Sequence, residues 1–300
     1  MQIEKLKNID PKRKITILGH DNIDVDAFLS GILLSRLFDF LKIDNEFVIL
    51  EKVKENETYQ IVKELFNIDM KKWENVSEKQ DRYLFLEDHF ETIHSGKIVG
   101  CIDHHPTAKK PDYEYQYRRN SCACSYLIYE IMKQEGYPLT KEDAKMIVVA
   151  MMVDTTSFRS SKTIKEEVKV AEKLAAEYSL NYEELLKYCL CLTPIKKMKI
   201  KDIVENGKKY YNYAGTEVES AYLQLYGMPD NNVLNNWLEY LKDSIKTSNI
   251  RMKVFIIFEM ERNKTIEYRI SSEGIATIVH EGILSRGKDI MPKIEELFLK

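Results

Sequence analysis

Several features that would classify a chain at once are missing from this one. No apolar run approaches the roughly 20 residues needed to cross a bilayer. The N-terminus, Met-Gln-Ile-Glu-Lys-Leu-Lys, is charged and has no apolar signal core, so the expected compartment is the cytoplasm. There is no basic excess. Lys and Arg number 45 against 48 Asp and Glu, a formal charge of −3, which gives nucleic-acid binding no global electrostatic support. Cysteine is sparse, and five is an odd number in a chain without an export signal, which argues for reduced thiols. The pairs Cys122-Ala-Cys124 and Cys189-Leu-Cys191 lack the usual zinc-site spacing and sit in helical apolar patterns, so buried free cysteines are expected. No repeat or low-complexity segment is present. What is there, 44% hydrophobic and 31% charged residues over 300 positions, describes a soluble globular protein of one large or two ordinary domains.

The most informative stretch runs from Lys14 to Arg36. Ile15 to Leu18 is a short β-branched apolar run, the pattern of a strand buried on both faces. Gly19 breaks it, and from Ala27 the residues Phe28, Leu29, Ile32, Leu33 and Leu37 follow helical spacing. His20, Asp24 and Asp26 therefore fall in the turn between the first strand and the first helix. The carboxyl ends of strands in an open α/β sheet are where ligands bind. A loop can aim an imidazole and two carboxylates at one divalent cation, whereas helix capping alone would account for only one aspartate.

The pattern repeats downstream. Tyr83-Leu-Phe-Leu is a strand ending in Glu87-Asp88-His89, and Lys97 to Ile102 is another, ending in Asp103-His104-His105 before Pro106. Glu46 to Leu50 reads as a strand and Thr58 to Phe66 as a helix. Helices follow at Ser121 to Lys133, begun at Asn120 or Ser121, and at Lys141 to Met152, which runs into Asp154. A carboxylate at a helix C-terminus opposes the dipole, and a cation partner would suit it. Strands alternating with helices predict a mainly parallel sheet. Four carboxylates converging with two imidazoles need neutralising cations, and two divalent ions are the natural count, with manganese, cobalt or magnesium favoured over a thiolate metal. Two such ions stabilise hydroxide attack on phosphorus.

Asp103-His104-His105 is the signature of the DHH phosphoesterase superfamily, and three further segments resemble its motifs: Gly19-His-Asp-Asn-Ile-Asp-Val-Asp26-Ala, Leu86-Glu-Asp88-His-Phe-Glu91, and Met152-Val-Asp154 through Lys162-Thr163. Gly282 to Pro292, containing Ser285-Arg286-Gly287-Lys288, is similar to the Ser-Arg-Lys-Lys segment near the end of family II, manganese-dependent inorganic pyrophosphatases. The resemblance implies His20, Asp24, Asp26, Asp88, His104 and Asp154 as ligands of two metal ions, Mn2+ first with Mg2+ or Co2+ as alternatives, and Asp88 as their bridge. It implies that His105 meets substrate phosphate and helps protonate the leaving group. Lys209, with Lys208 its rival, and Ser285, Arg286 and Lys288 would bind phosphate from a second domain. The chain departs from the family at Ile23, in place of proline, at Phe90, in place of asparagine, at Pro106, in place of arginine, and at Gly287, in place of lysine.

The expected architecture is α/β: a DHH domain over residues 1–191, its mainly parallel sheet flanked by helices, and a smaller α+β domain over 196–300. The basic run from Lys196 to Lys201 reads as a solvated hinge face. In the second domain a strand over Val218 to Leu225, a helix over Asn231 to Lys246 and a hairpin of Lys253–Phe258 with Thr265–Ile270 are expected. Ser285 to Lys288 is placed in a loop between a strand and a helix begun near Pro292. His89 is read as support for a metal ligand, His94 as a surface residue, and His280 as lacking a nameable partner. Tyr113, Tyr115 and Tyr117 fit one aromatic strand face. The implied activity is metal-dependent phosphohydrolysis of a phosphoanhydride such as pyrophosphate. An exopolyphosphatase or nucleotide phosphohydrolase is the alternative within the class, and a non-catalytic phosphate-ligand sensor the alternative outside it, disfavoured by the complete ligand set. No Gly-Gly-Gly-His loop of the oligonucleotide-degrading relatives is found. The partner is a small phosphate-containing substrate, with no membrane and no strong nucleic-acid signal, and the reading leaves room for a homodimer.

Overall fold

Strand β1 (Ile15–Leu18) is buried along its whole length, as its unbroken apolar run requires of a strand covered on both faces. In this computed structural model, which describes residues 6, 13–75, 82–91, 96–105, 112–160, 162–190, 195 and 198–299, contacts divide the chain into two units. The first comprises residues 1–54 and 61–186, the second 55–60 and 187–300. Side chains at 189, 190 and 288 are outside the description.

In the first unit β1 pairs in parallel with both β2 (Asn45–Val48) and β3 (Tyr83–Glu87). Parallel pairing continues through β4 (Lys97–Asp103) to β5 (Tyr115–Arg118), giving the order β2-β1-β3-β4-β5. The chain steps outward from β1 to β2 and then back across to β3. Strand order reverses there, so the crevice at the carboxyl ends of β1 and β3 is the switch point where such sheets take ligands.

Helix α1 (Val25–Phe40) follows β1, and twelve of its residues are buried, because it is apolar on nearly every face and packs among α3 (Cys124–Glu135), α4 (Lys141–Asp154) and the sheet. Gly31 is there of necessity, since a Cβ would stand 2.3 Å from the Phe47 ring. Helix α4 begins with a capping box between Thr140 and Asp143. Helices α2 (Glu57–Phe66), α5 (Lys165–Glu177) and α6 (Tyr182–Leu190), with a 3-10 turn at Met70–Trp73, are the other helical segments among the described residues up to 190. Cys101, Cys122 and Cys124 are free and buried, as expected; Cys191 lies outside the described residues.

The second unit is a mixed sheet, ordered β10-β9-β8-β7-β6. After the short α7 (Ile200–Val204), β6 (Lys209–Tyr213) pairs antiparallel with β7 (Thr216–Leu225). Helix α8 (Asn231–Lys246) is the crossover that lets β8 (Met252–Glu259) lie parallel to β7. Strands β9 (Lys264–Ser271) and β10 (Gly274–Glu281) return antiparallel, so the expected hairpin is present. Trp237, Leu238, Leu241 and Ile245 form the buried stripe of α8, packed in a cluster with Leu223, Phe255, Ile257 and Tyr268. Arg286–Ile290 forms one wide π-helical turn leading into α9 (Met291–Glu295). Ser285 to Lys288 is thus mostly a helical turn rather than a loop.

Two local expectations change. Asp26 lies inside the first turn of α1, not in the preceding turn, because Asp24 is the N-cap and accepts from Ala27 N at 3.0 Å. Helix α3 starts at Cys124 rather than Ser121, since Glu167 draws Ser121 Oγ and Cys122 N to its carboxylate at 2.9 and 2.7 Å. Among the described residues no helix is long and apolar enough to cross a membrane.

Candidate metal centre

The carboxyl ends of β1, β3 and β4, the N-terminal end of α1 and the C-terminal end of α4 bring seven side chains together. Three overlapping groups, His20–Asp24–Asp88, Asp88–His104–His105 and Asp26–His104–Asp154, each offer ligand atoms within 4.8 Å of one another. His20 Nε2 lies 3.6 Å from both Asp24 Oδ2 and Asp88 Oδ2. His104 Nε2 lies 3.1 Å from Asp88 Oδ1, 3.8 Å from Asp154 Oδ2 and 3.9 Å from Asp26 Oδ2. Asp88 thus turns one oxygen to each imidazole, the arrangement of a bridging carboxylate.

The histidine tautomers decide what the centre can hold. Nδ1–H of His20 donates to Asp21 O at 2.8 Å, and Nδ1–H of His104 donates to Ser121 O at 3.1 Å. In each neutral ring Nε2 then carries a lone pair, aimed at carboxylate oxygens. That contact is repulsive unless a proton or a metal ion lies between, and a backbone-tethered Nδ1 is the usual posture of a metal-binding histidine. Without metal the protons stay. Burial opposes the charge on His20, but the bonds and charges of Asp24 and Asp88 outweigh it and push the ring up to about 12. Burial likewise opposes His104, and Asp88, Asp26 and Asp154 push it up to about 10. Burial raises Asp26 to about 7, with Asp88 adding repulsion. For Asp88 burial works upward too, yet His104 and His20 hold its carboxyl well below the ordinary range. Asp88 Oδ1 is buried and, despite the 3.1 Å approach, accepts no aligned hydrogen bond. A hard oxygen left unpaired, beside outward lone pairs of imidazole, fits a manganese- or magnesium-type cation.

The backbone holds these groups firmly. Asp88 has φ of 61°, a left-handed conformation costing a non-glycine residue roughly 1–2 kcal/mol, and its amide is fixed to Ile102 O at 2.9 Å. Asp26 Oδ2 accepts from Cys124 N at 2.6 Å and Oδ1 from Ser125 N at 3.1 Å, so it caps α3, whose own Ala123 cannot. Asp103, fully buried, accepts from both the amide and Nδ1 of His105 at 3.0 Å. That bond, against burial, raises the His105 pKa and leaves Nε2 as the working nitrogen. Arg118 Nε also reaches Asp103 at 3.4 Å, and its guanidinium lies 4.4 Å above the Phe90 ring. Pro106 and His94 lie outside the described residues.

Three residues near the centre were given no role by the sequence pattern. Lys162 pairs with both oxygens of Asp154, Asp103 orients His105, and Glu87 is fully buried with neither carboxylate oxygen hydrogen-bonded. Burial first, and the Asp88 charge second, raise the Glu87 pKa well above the ordinary carboxyl range. All three lie inside segments that resemble the family motifs, but nothing in those segments assigned them a role. His89 Nδ1–H donates to Glu87 O at 2.9 Å, which ties it to the strand end rather than to a metal ligand. His280 does have a partner, Glu267 Oε2 at 2.9 Å.

In the second unit Lys209 opens β6 and is exposed, whereas Lys208 is paired to Glu205 at 2.8 Å. Arg286 Nη1 donates to Gly207 O, and the guanidinium lies 4.9 Å from the Tyr222 ring centre. Gly207 makes that corner feasible: its φ is 58°, and a Cβ there would stand 2.5 Å from the Tyr222 ring. Ser285 N donates to Asp289 Oδ2 at 2.6 Å. The Lys288 side chain is outside the described residues.

A parallel α/β unit thus carries, at its switch point, a histidine–carboxylate cluster that could hold metal. Residues 14–153 match the DHH family, N-terminal domain. A Bacillus licheniformis protein named "Probable manganese-dependent inorganic pyrophosphatase" is 24% identical over 307 residues, covering 94% of this chain and 98% of that protein. A Bacillus cytotoxicus protein of the same name is 24% identical over 95% of this chain and 98% of its own length. The fold is also that of a Methanococcus jannaschii "putative family II inorganic pyrophosphatase", with a TM-score of 0.63 at 19% identity, covering 95% of this chain and all of the other.

Proposed function

We propose that the protein is a divalent-metal-dependent phosphohydrolase acting on phosphoanhydrides, with inorganic pyrophosphate its first candidate substrate. The observation that carries this reading is the paired imidazole geometry, in which two Nε2 lone pairs and the two oxygens of Asp88 converge. His20, Asp24, Asp26, Asp88, His104 and Asp154 would hold two ions, with Asp88 shared. Bound manganese, or magnesium or cobalt, supplies Lewis acidity that activates water and offsets charge on phosphoryl oxygens.

The chain's own residues do the rest. Asp21 O and Ser121 O hold the rings in the ligand tautomer, so no reorganisation is needed on binding. His105, oriented through Nδ1 by Asp103, places Nε2 to donate a proton to the departing phosphate. Lys209, Ser285, Arg286 and Lys288 are assigned phosphate binding; an Arg fork and Lys point charges suit that role.

A second reading within the class is a polyphosphate or nucleotide phosphohydrolase; its nucleotide form is favoured by Phe90, an aromatic ring of no use to a bare inorganic anion, with the Arg118 guanidinium 4.4 Å over it. Hydrolysis of pyrophosphate, tripolyphosphate, long polyphosphate and dinucleotides by the manganese-loaded protein tests both readings. We expect pyrophosphate turnover with a bulkier phosphate compound competing. No turnover of any of them overturns the first reading. A pyrophosphate preference of about a thousandfold in kcat/KM, roughly 4 kcal/mol, overturns the second.

A further inference from the structure

Lys162 is a side chain for which the ligand set has no use, yet it reaches the centre. Its Nζ lies 2.8 Å from Asp154 Oδ1 and 3.0 Å from Oδ2. The lysine side chain is 47% exposed and the aspartate 12%, so the ammonium sits at the mouth and the carboxylate within.

An unusual piece of backbone leads to it. Thr156, Ser157 and Phe158 have φ of 54°, 54° and 60°, three consecutive left-handed residues without a glycine among them. They are held by Thr155 Oγ1, which accepts from Phe158 N at 3.0 Å, and by Ser157 N donating to Met152 O at 2.7 Å. Strained backbone fixed by its surroundings in this way is typical of functional sites.

Resting on the phosphohydrolase reading above, we infer that Lys162 is a substrate-phosphate cation belonging to the metal-binding unit itself. The charge balance supports the inference. Asp24, Asp26, Asp88 and Asp154 would be just neutralised by two divalent ions, so an anionic substrate would meet no net attraction from ions and ligands alone. Lys162 adds one positive charge at the exposed side of Asp154. The chain also has Pro106 and Gly287 where its family has basic residues, and a lysine at 162 returns one such charge. A counterion serving only Asp154 is the competing role.

The test uses the full chain loaded with manganese, as wild type, Lys162→Met, Lys162→Gln and Lys162→Arg. Inorganic phosphate binding is measured by calorimetry, manganese content by elemental analysis, and pyrophosphate kinetics alongside. Both neutral variants should bind phosphate at least tenfold more weakly with unchanged manganese content, and raise KM more than they lower kcat. Lys162→Arg should regain most of the affinity. Unchanged phosphate affinity in the neutral variants, or tighter manganese binding without loss of phosphate affinity, would overturn the inference and leave Lys162 a counterion or a competitor for metal. If the wild type itself binds no manganese or phosphate, the phosphohydrolase reading falls and takes this inference with it.

Discussion

Loading the centre with metal should expel protons, and their number follows from the two imidazoles. His20 and His104, pushed up to about 12 and about 10, both carry a proton on Nε2 at pH 7.5 when no metal is bound. A metal ion takes the lone pair that the proton occupies, so both protons must leave. Asp26, with a pKa of about 7, is by then mostly ionised and adds only a fraction. Release of about two protons per chain is therefore expected, and the apparent manganese association constant should rise roughly a hundredfold per pH unit between about pH 7 and 8.5. Calorimetric titration of manganese into metal-free protein, at one pH in two buffers of different ionisation enthalpy, measures the number directly. Fewer than one proton per chain would refute the tautomer argument, because at least one imidazole would then have been neutral beforehand.

The same pKa values fix the sign of a stability effect. A histidine whose folded pKa is raised contributes stability that is fully present below about pH 6.5 and is lost as pH rises through the folded value. The metal-free protein should lose melting temperature from about pH 7 upward, towards the values of about 10 and about 12 for His104 and His20. Asp26 adds a loss between about pH 4 and its folded value of about 7, since its folded pKa is also raised. The manganese-loaded protein, with no protons to lose from either imidazole, should be flat over the alkaline range.

Other substitutions separate the roles of single groups. Asp88→Asn should lower manganese content and activity together, as one side chain faces both imidazoles; full occupancy of both sites by elemental analysis would exclude the bridge. Asp26→Ala leaves the buried Cys124 and Ser125 amides without their acceptor, at about 1–3 kcal/mol each, so metal-free stability to urea should fall by about 2–6 kcal/mol, less the relief of repulsion from Asp88. Arg286→Ala should leave manganese content unchanged and cost roughly 1.5–3 kcal/mol in kcat/KM for pyrophosphate; wild-type kinetics would remove Arg286 from the substrate contacts.

Much of the first unit could be read directly because its signals are local. Each candidate ligand other than Asp154 follows closely on an apolar strand, and such runs announce themselves whatever lies across the sheet. Asp154 was equally visible, at the end of a long apolar helix. The signals that failed are those carried by backbone conformation or by distant partners. Thr156, Ser157 and Phe158 do not look like a left-handed turn, since residue type favours glycine or asparagine there. Without that turn, nothing places Lys162 on Asp154. Ser121 looks like a helix cap, but a glutamate 46 positions away claims its hydroxyl. The strand β6 begins with exposed Lys209 and Tyr210 and lacks an apolar alternation, so its pairing with β7 had no pattern to announce it.

The asymmetry of the helix ends explains why Asp154, rather than another ligand, keeps a lysine. Asp24 caps the N-terminus of α1 and Asp26 that of α3, so both carboxylates sit in the positive end of a helix dipole and accept amide hydrogens. Asp88 has two imidazoles. Asp154 stands at the opposite pole: it is the last residue of α4, where the dipole is negative, and burial raises its pKa while Lys162 and His104 lower it. The ammonium of Lys162 supplies the positive charge that this helix end withholds, while standing at the open side of the centre. One cation could serve both purposes because an aspartate has two oxygens: were a metal to take one, the other would still hold the lysine where an incoming phosphate would meet it.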